Sequence, residues 1–193
     1  SPTSHTTGRT HDLGFRAATA LFGHFGIEWD LRRASERDLA ELSAWVAFHK
    51  QQRDLLHRGD LVRLDFPDGS LTATAVIAPD RSRALFSHAL VGSPDTSLPG
   101  RLRLPGLDAT RRYRVSPVLV GRAPALRPAP WWGEYPVLSG AALASAHALP
   151  GWKESSVVGL GNGLNLGAQR RHRAASDRPQ HPRIAELPGG RVR

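Results

Sequence analysis

The sequence predicts two kinds of structure in succession, an α/β segment followed by an all-β segment. In residues 1–58, helical periodicity lies on both sides of a short apolar stretch. In residues 59–160, short alternating runs are separated by Pro, Gly and Asp. Residues 161–193 are rich in Gly, Arg, Pro and His and have no periodicity, which is typical of disorder. We therefore expect three regions with these boundaries, the last being a disordered basic tail.

The first region reads as helix, strand, helix, with a helix over 10–22, a strand over 24–31 and a helix over 34–57. Thr10 is the expected N-cap of the first helix, because its hydroxyl can accept a backbone N–H. A capping-box pattern at Ser35 predicts the start of the second helix, and Gly59 predicts its end. Such alternation is typical of an α/β barrel or a layered sheet.

The second region predicts an antiparallel sheet or sandwich, because its strands are short and no helix separates them. The predicted strands are 61–66, 71–78, 83–91, 101–104, 112–120 and 155–160. Residues 137–149 are small and apolar, and they fit either a short helix or a loop over the sheet.

Glu28 and Asp30 are the candidate site residues of the predicted strand. Side chains two apart in a strand share a face, about 6.5–7 Å apart. Charge is costly to bury unless it is paired, so two carboxylates on a buried strand need an explanation. Three alternatives stay open: they line a cleft, they cap a helix and bind a neighbouring arginine, or they lie at an exposed strand end.

Composition excludes several classes of protein. The chain has no cysteine, which excludes disulfides, cysteine nucleophiles and thiolate metal sites. It has no apolar run of membrane-spanning length and no signal-peptide pattern, so we expect a cytoplasmic protein without a membrane partner. The absence of methionine suggests that the sequence starts within a longer protein.

The net charge of +9 suggests a nucleic-acid partner, but its distribution argues against one. Residues 160–193 hold seven arginines and two acids, so +5 of the +9 lies there. The chain has two lysines and 24 arginines, a ratio that codon bias in a GC-rich genome explains more simply.

A family resemblance is carried by several runs of this sequence. They are GRTHDLGFRAATALFGHFGIEWDL, LLHRGDLVRLD, VIAPDRSRALFSHA, PGRLRLPGLDATRRYRV and LSGAAL. Together, over residues 1–150, they closely resemble the C-terminal third of bacterial α-galactosidases of glycoside hydrolase family 36. The resemblance implies the last strand–helix units of a (β/α)₈ barrel, with 24–31 as the eighth strand, followed by an antiparallel, β-sandwich-like C-terminal domain.

The resemblance also implies a function for the full-length enzyme, the retaining hydrolysis of terminal α-D-galactosides such as raffinose-type oligosaccharides. A complete barrel takes about 250 residues, and the family's two catalytic aspartates lie on earlier strands. We therefore expect no catalytic residue and no activity in this chain alone. Glu28 and Asp30 become barrel-lining or structural carboxylates, and His5 becomes a residue of the barrel rim. No cofactor or metal is expected, and a homo-oligomer is compatible with the resemblance.

Two other functions are also compatible with the sequence. A β-sandwich that binds carbohydrate without catalysis could use Trp131 and Trp132 to stack on a sugar, although core packing is the commoner role of such aromatics. A basic protein that associates with nucleic acid is the weaker alternative. The tail departs from the family, and a frame shift in a GC-rich gene is one hypothesis for it.

Overall fold

In a computed structural model of the chain, the described residues are 3–4, 6–64, 69–93, 103–121 and 135–145, with the backbone of 156–161. The helices are α1 (Leu13–Leu21), α2 (Glu36–Arg58) and α3 (Gly140–Ala144), with a 3₁₀ turn at Leu31–Arg33. The strands are β1 (Asp60–Leu64), β2 (Leu71–Ile77), β3 (Ala84–Leu90), β4 (Arg112–Pro117), β5 (Val137–Ser139) and β6 (Ser156–Gly161). No helix in this part of the chain is long and apolar enough to cross a membrane.

Helix α1 begins two residues later than the sequence predicts. Asp12 is its N-cap, since the side chain accepts the Phe15 N–H at 2.7 Å. Thr10, the predicted cap, instead forms an isolated antiparallel bridge with Thr3, and the two hydroxyls lie 3.0 Å apart. A carboxylate is a stronger acceptor than a hydroxyl at the positive end of a helix, which favours Asp12.

Helix α2 confirms the predicted start and end. Ser35 is its N-cap, and its hydroxyl accepts the Asp38 N–H at 3.1 Å. Gly59 is the C-cap, but its φ of −77° is not left-handed. Glycine is needed there for space, because a Cβ would lie 2.6 Å from the Leu55 carbonyl oxygen and 2.6 Å from Cγ1 of Val76.

The predicted strand over residues 24–31 is wrong for this structure. The described chain has no helix or strand at 24–30, which we call the carboxylate segment. The Gly26 N–H donates to the His24 carbonyl at 3.0 Å, a three-residue turn that an extended strand cannot contain. None of the strand pairs in the described residues includes this segment, so its backbone has no ladder partner there.

The six strands form one sheet in the order β1-β2-β3-β6-β4-β5, and every neighbouring pair is antiparallel. This confirms the antiparallel second region and most of its predicted strands. The predicted strand at 101–104 is not formed in its described part, 103–104. Residues 137–149 supply both a short strand and α3 in their described part, 137–145. The predicted domain boundaries stay predictions.

The sheet has a core on each face, because side chains alternate along its strands. On β2, Ala75 and Ile77 pack into one cluster while Val76 packs into the other. The first cluster adds buried residues from β3, β4, α3 and the loop between β3 and β4: Ala84, Phe86, Leu104, Leu107, Tyr113, Val115 and Leu143. The second joins the sheet to α1 and α2: Ala17, Leu21, Trp45, Leu55, Ala78 and Leu85. Helices α1 and α2 therefore cover one face of the sheet, and α3 packs on the other.

Tyr113 ties the loops at one end of the sheet together. It is fully buried, its hydroxyl donates to the Arg81 carbonyl at 2.6 Å, and the same oxygen accepts the Asp108 N–H at 3.0 Å. Gly140, the first residue of α3, packs against this loop so closely that a Cβ would collide with the Asp108 carbonyl oxygen. These contacts link the β3–β4 connection, through Tyr113, to the β2–β3 turn and, through Gly140, to α3.

Candidate functional site

The carboxylate segment is held on α2 by one of its aromatic side chains. The Phe25 ring stacks on the His49 ring of α2, with the ring centres 4.9 Å apart and the planes 12° from parallel. Phe25 also packs against the second core cluster. The segment is therefore anchored at its start, and the residues that follow Phe25 reach the surface.

Asp30 has a local structural role in the described residues. Its carboxylate caps the 3₁₀ turn by accepting the Arg32 N–H at 3.2 Å. It also accepts two bonds from the Arg32 guanidinium, at 2.9 and 3.1 Å. These bonds to Arg32 hold the pKa of Asp30 below its usual value. Asp30 thus follows the second of the three alternatives, a cap that binds a neighbouring arginine.

The structure does not bring Glu28 into one site with Asp30. Glu28 is exposed in the irregular part of the segment, so the strand face that it was predicted to share with Asp30 is not formed. His5 lies outside the described residues, as do Trp131 and Trp132. The assignment of these residues to a barrel rim or a barrel lining stays a prediction.

A histidine pair on α2 is the feature that sequence reasoning missed. The His49 and His57 rings lie 6.1 Å apart, nearly perpendicular to each other. Burial lowers the pKa of His49, and the nearby positive charges of Arg53 and His57 lower it further. The three residues are four apart along the chain, a spacing that places them on one helix face and could have identified them.

The described residues offer no arrangement for metal chemistry, since they contain no group of three or more His, Cys, Asp or Glu side chains that could hold an ion. The Asp30 carboxylate is hydrogen-bonded to the Arg32 guanidinium, and Glu28 lies in an irregular loop. A retaining glycosidase needs two carboxyl groups about 5–5.5 Å apart across the scissile bond. Within this part of the chain, the geometry supports structural carboxylates and a packed helix–sheet interface.

Comparison with known proteins identifies two consecutive family segments. Residues 1–59 match the family model described as Melibiase, and residues 71–146 match the glycosyl hydrolase family 36 C-terminal domain. The α-galactosidase of Escherichia coli is 43% identical over 111 residues. α-Galactosidase AgaA of Geobacillus stearothermophilus is 33% identical over 113 residues. Each alignment covers 58% of this chain and 16% of the relative, so the chain spans a small part of their length.

Solved structures agree with these sequence matches. A variant of G. stearothermophilus AgaA in complex with raffinose superimposes with a TM-score of 0.65 at 27% identity, over 82% of this chain and 20% of that one. AgaB of the same organism gives 0.66 at 26% identity, over 82% and 20%. The fold of this chain is therefore similar to part of these solved family 36 structures. The matches therefore support a fragment of a glycoside hydrolase family 36 protein, with one segment similar to the melibiase model and one similar to the family's C-terminal domain.

Proposed function

We propose that this chain is the C-terminal part of an α-galactosidase, where it completes the catalytic domain and supports it with a β domain. The observation that carries the proposal is the order of the two family segments, a melibiase match that ends at residue 59 and a C-terminal domain match that starts at residue 71. The 43% identity to the E. coli α-galactosidase supports the same activity.

The substrate class follows from the relatives. Solved AgaA variants are in complex with raffinose and with stachyose, both α-galactoside oligosaccharides. We infer that the enzyme to which this chain belongs cleaves terminal α-galactose from such sugars. The resemblance implies a retaining mechanism through a covalent intermediate, with both catalytic carboxylates supplied by parts of the enzyme outside this chain. A cytoplasmic location stays a prediction.

The surface of the carboxylate segment supports a role in completing a larger domain. Ile27 is 47% exposed and Leu31 is 42% exposed, and Leu39 at the start of α2 is 38% exposed. These large apolar side chains lie in or near a segment that has no strand partner among the described residues. They fit a surface that neighbouring barrel elements would cover. The proposal therefore assigns the chain a structural contribution to catalysis.

A chimera tests this function directly. In the E. coli α-galactosidase, the residues aligned with this chain are replaced by the matching residues of this chain, and galactose release from raffinose is measured. We expect the chimera to retain activity, while this chain alone releases no galactose. A chimera that is folded by circular dichroism but inactive would contradict the proposal, as would turnover by the isolated chain that depends on Glu28 or Asp30.

A further inference from the structure

His49 lies where the carboxylate segment meets α2. Its half-buried ring stacks on Phe25 at 4.9 Å between ring centres, and the His57 ring lies 6.1 Å away in an edge-on arrangement. Phe25 is the ring contact between the segment and α2 in the described residues. Whatever changes the charge of His49 therefore acts on the contact that anchors the segment.

The surroundings of His49 favour its neutral form. From α2, the groups that face it are Arg53 and His57, and both are basic; from the carboxylate segment, the facing group is the uncharged Phe25. Burial is the largest cause of the lowered pKa of His49, and the two basic neighbours add to it. No acidic group is among those causes, so a proton on His49 would be partly desolvated and repelled by like charge.

We propose that His49 is a pH-sensitive contact, which holds the carboxylate segment on α2 when its ring is neutral and weakens that hold when the ring is protonated. The direction follows from linkage. Release of the segment exposes the His49 ring to water and so removes part of the desolvation that lowers its pKa, whereas Arg53 and His57 stay beside it on α2 in both states. As pH falls below about 6.5, the released state is protonated first, so docking weakens until the docked ring is also protonated.

The released part includes the chain that carries Glu28 and Asp30. Their positions would therefore depend on pH through a histidine on another element. This inference does not rest on the proposed function, because it concerns the packing of residues 24–30 on α2 and needs no enzymatic activity for its test.

Hydrogen exchange with mass spectrometry on the full chain tests the proposal. Deuterium uptake of peptides that cover residues 24–30 is compared at pH 7.5 and pH 5.0, after correction for the intrinsic rate. We expect uptake to rise at pH 5.0 by a factor of about two to five, the range that partly exposed charge interactions support. Peptides from β2 and β3 should change less.

Two variants identify the residue responsible. His49→Phe keeps an aromatic ring for Phe25 but cannot titrate, so its uptake should be the same at both pH values. His11→Phe is the matched control, because His11 also contacts a phenylalanine ring, Phe15 at 5.0 Å on α1. The control should keep the pH dependence of the wild type.

A third variant decides the matter if His49→Phe does not fold, as judged by far-ultraviolet circular dichroism. His49→Gln also cannot titrate in this pH range, and its uptake should likewise be the same at both pH values. Three results would overturn the proposal: uptake in the wild type that does not change with pH, a pH dependence that survives in His49→Phe, or a pH dependence that survives in His49→Gln.

Discussion

Replacing Tyr113 by phenylalanine removes one oxygen atom and two hydrogen bonds from the β domain. The hydroxyl donates to the Arg81 carbonyl at 2.6 Å and accepts the Asp108 N–H at 3.0 Å. The ring is 0% exposed, so phenylalanine keeps its packing. A protein hydrogen bond contributes about 0.5–1.5 kcal/mol net, and two such bonds give a loss of about 1–3 kcal/mol in the free energy of unfolding.

Urea unfolding followed by circular dichroism measures this loss. Tyr135→Phe is the matched control, because Tyr135 is the other tyrosine of the chain and makes no side-chain hydrogen bond among the described residues. We expect the control to remain within about 0.5 kcal/mol of the wild type, as surface changes usually do. If Tyr113→Phe lost no more stability than Tyr135→Phe, the hydroxyl would not be the tie that we describe.

Three further predictions concern α2 and the carboxylate segment. Gly59→Ala should lower the free energy of unfolding by about 1–3 kcal/mol in urea, because its Cβ would lie 2.6 Å from the Leu55 carbonyl oxygen. Gly26→Ala, whose Cβ would meet nothing within 4 Å, serves as its control and should cost less. Ser35→Ala should cost about 0.5–2 kcal/mol by loss of the N-cap, measured by thermal unfolding. The pKa of Asp30 is lowered, so the stability that its carboxylate adds is present above pH 3.8 and is lost as pH falls through the lower folded pKa. Nuclear magnetic resonance titration of the Asp30 carboxyl should therefore give a midpoint below pH 3.8. A midpoint at or above pH 3.8 would contradict the hydrogen bonds that we assign to Arg32.

The helices could be predicted because their signals are local. Ser35 and Gly59 bracket α2 in the sequence as they do in the structure. The error at α1 is also local, since Thr10 and Asp12 are both good caps, and the stronger carboxylate acceptor of Asp12 and the bridge from Thr10 to Thr3 decide between them. Hydrogen bonds within a few residues therefore explain both the success and the miss.

The sheet order could not be predicted by the same reasoning. Strand β6 lies between β3 and β4, although more than sixty residues separate it from β3 in the chain. Alternation of apolar and polar residues fixes which face a side chain takes, but it does not say which strand lies alongside. The strand order depends on the packing of the two core clusters, one on each face of the sheet, and these clusters form only when the chain has folded.

The structure of the carboxylate segment depends both on local hydrogen bonds and on pairing with distant strands. Ile27 of the segment and Leu31 directly after it predict a strand, and a strand also needs neighbours that accept and donate its backbone hydrogen bonds. In the described residues no strand pairs with it, and the turn at Gly26 forms instead, leaving both side chains more than two fifths exposed. The apolar pattern of residues 24–31 thus predicts the strand that would form beside neighbouring strands, and the turn at Gly26 is what forms without them. In the chimera, those neighbours come from the E. coli enzyme, so the amides of residues 24–30 should exchange more slowly there than in this chain alone. Equal exchange in the two proteins would mean that the turn, and not the strand, is what this sequence encodes.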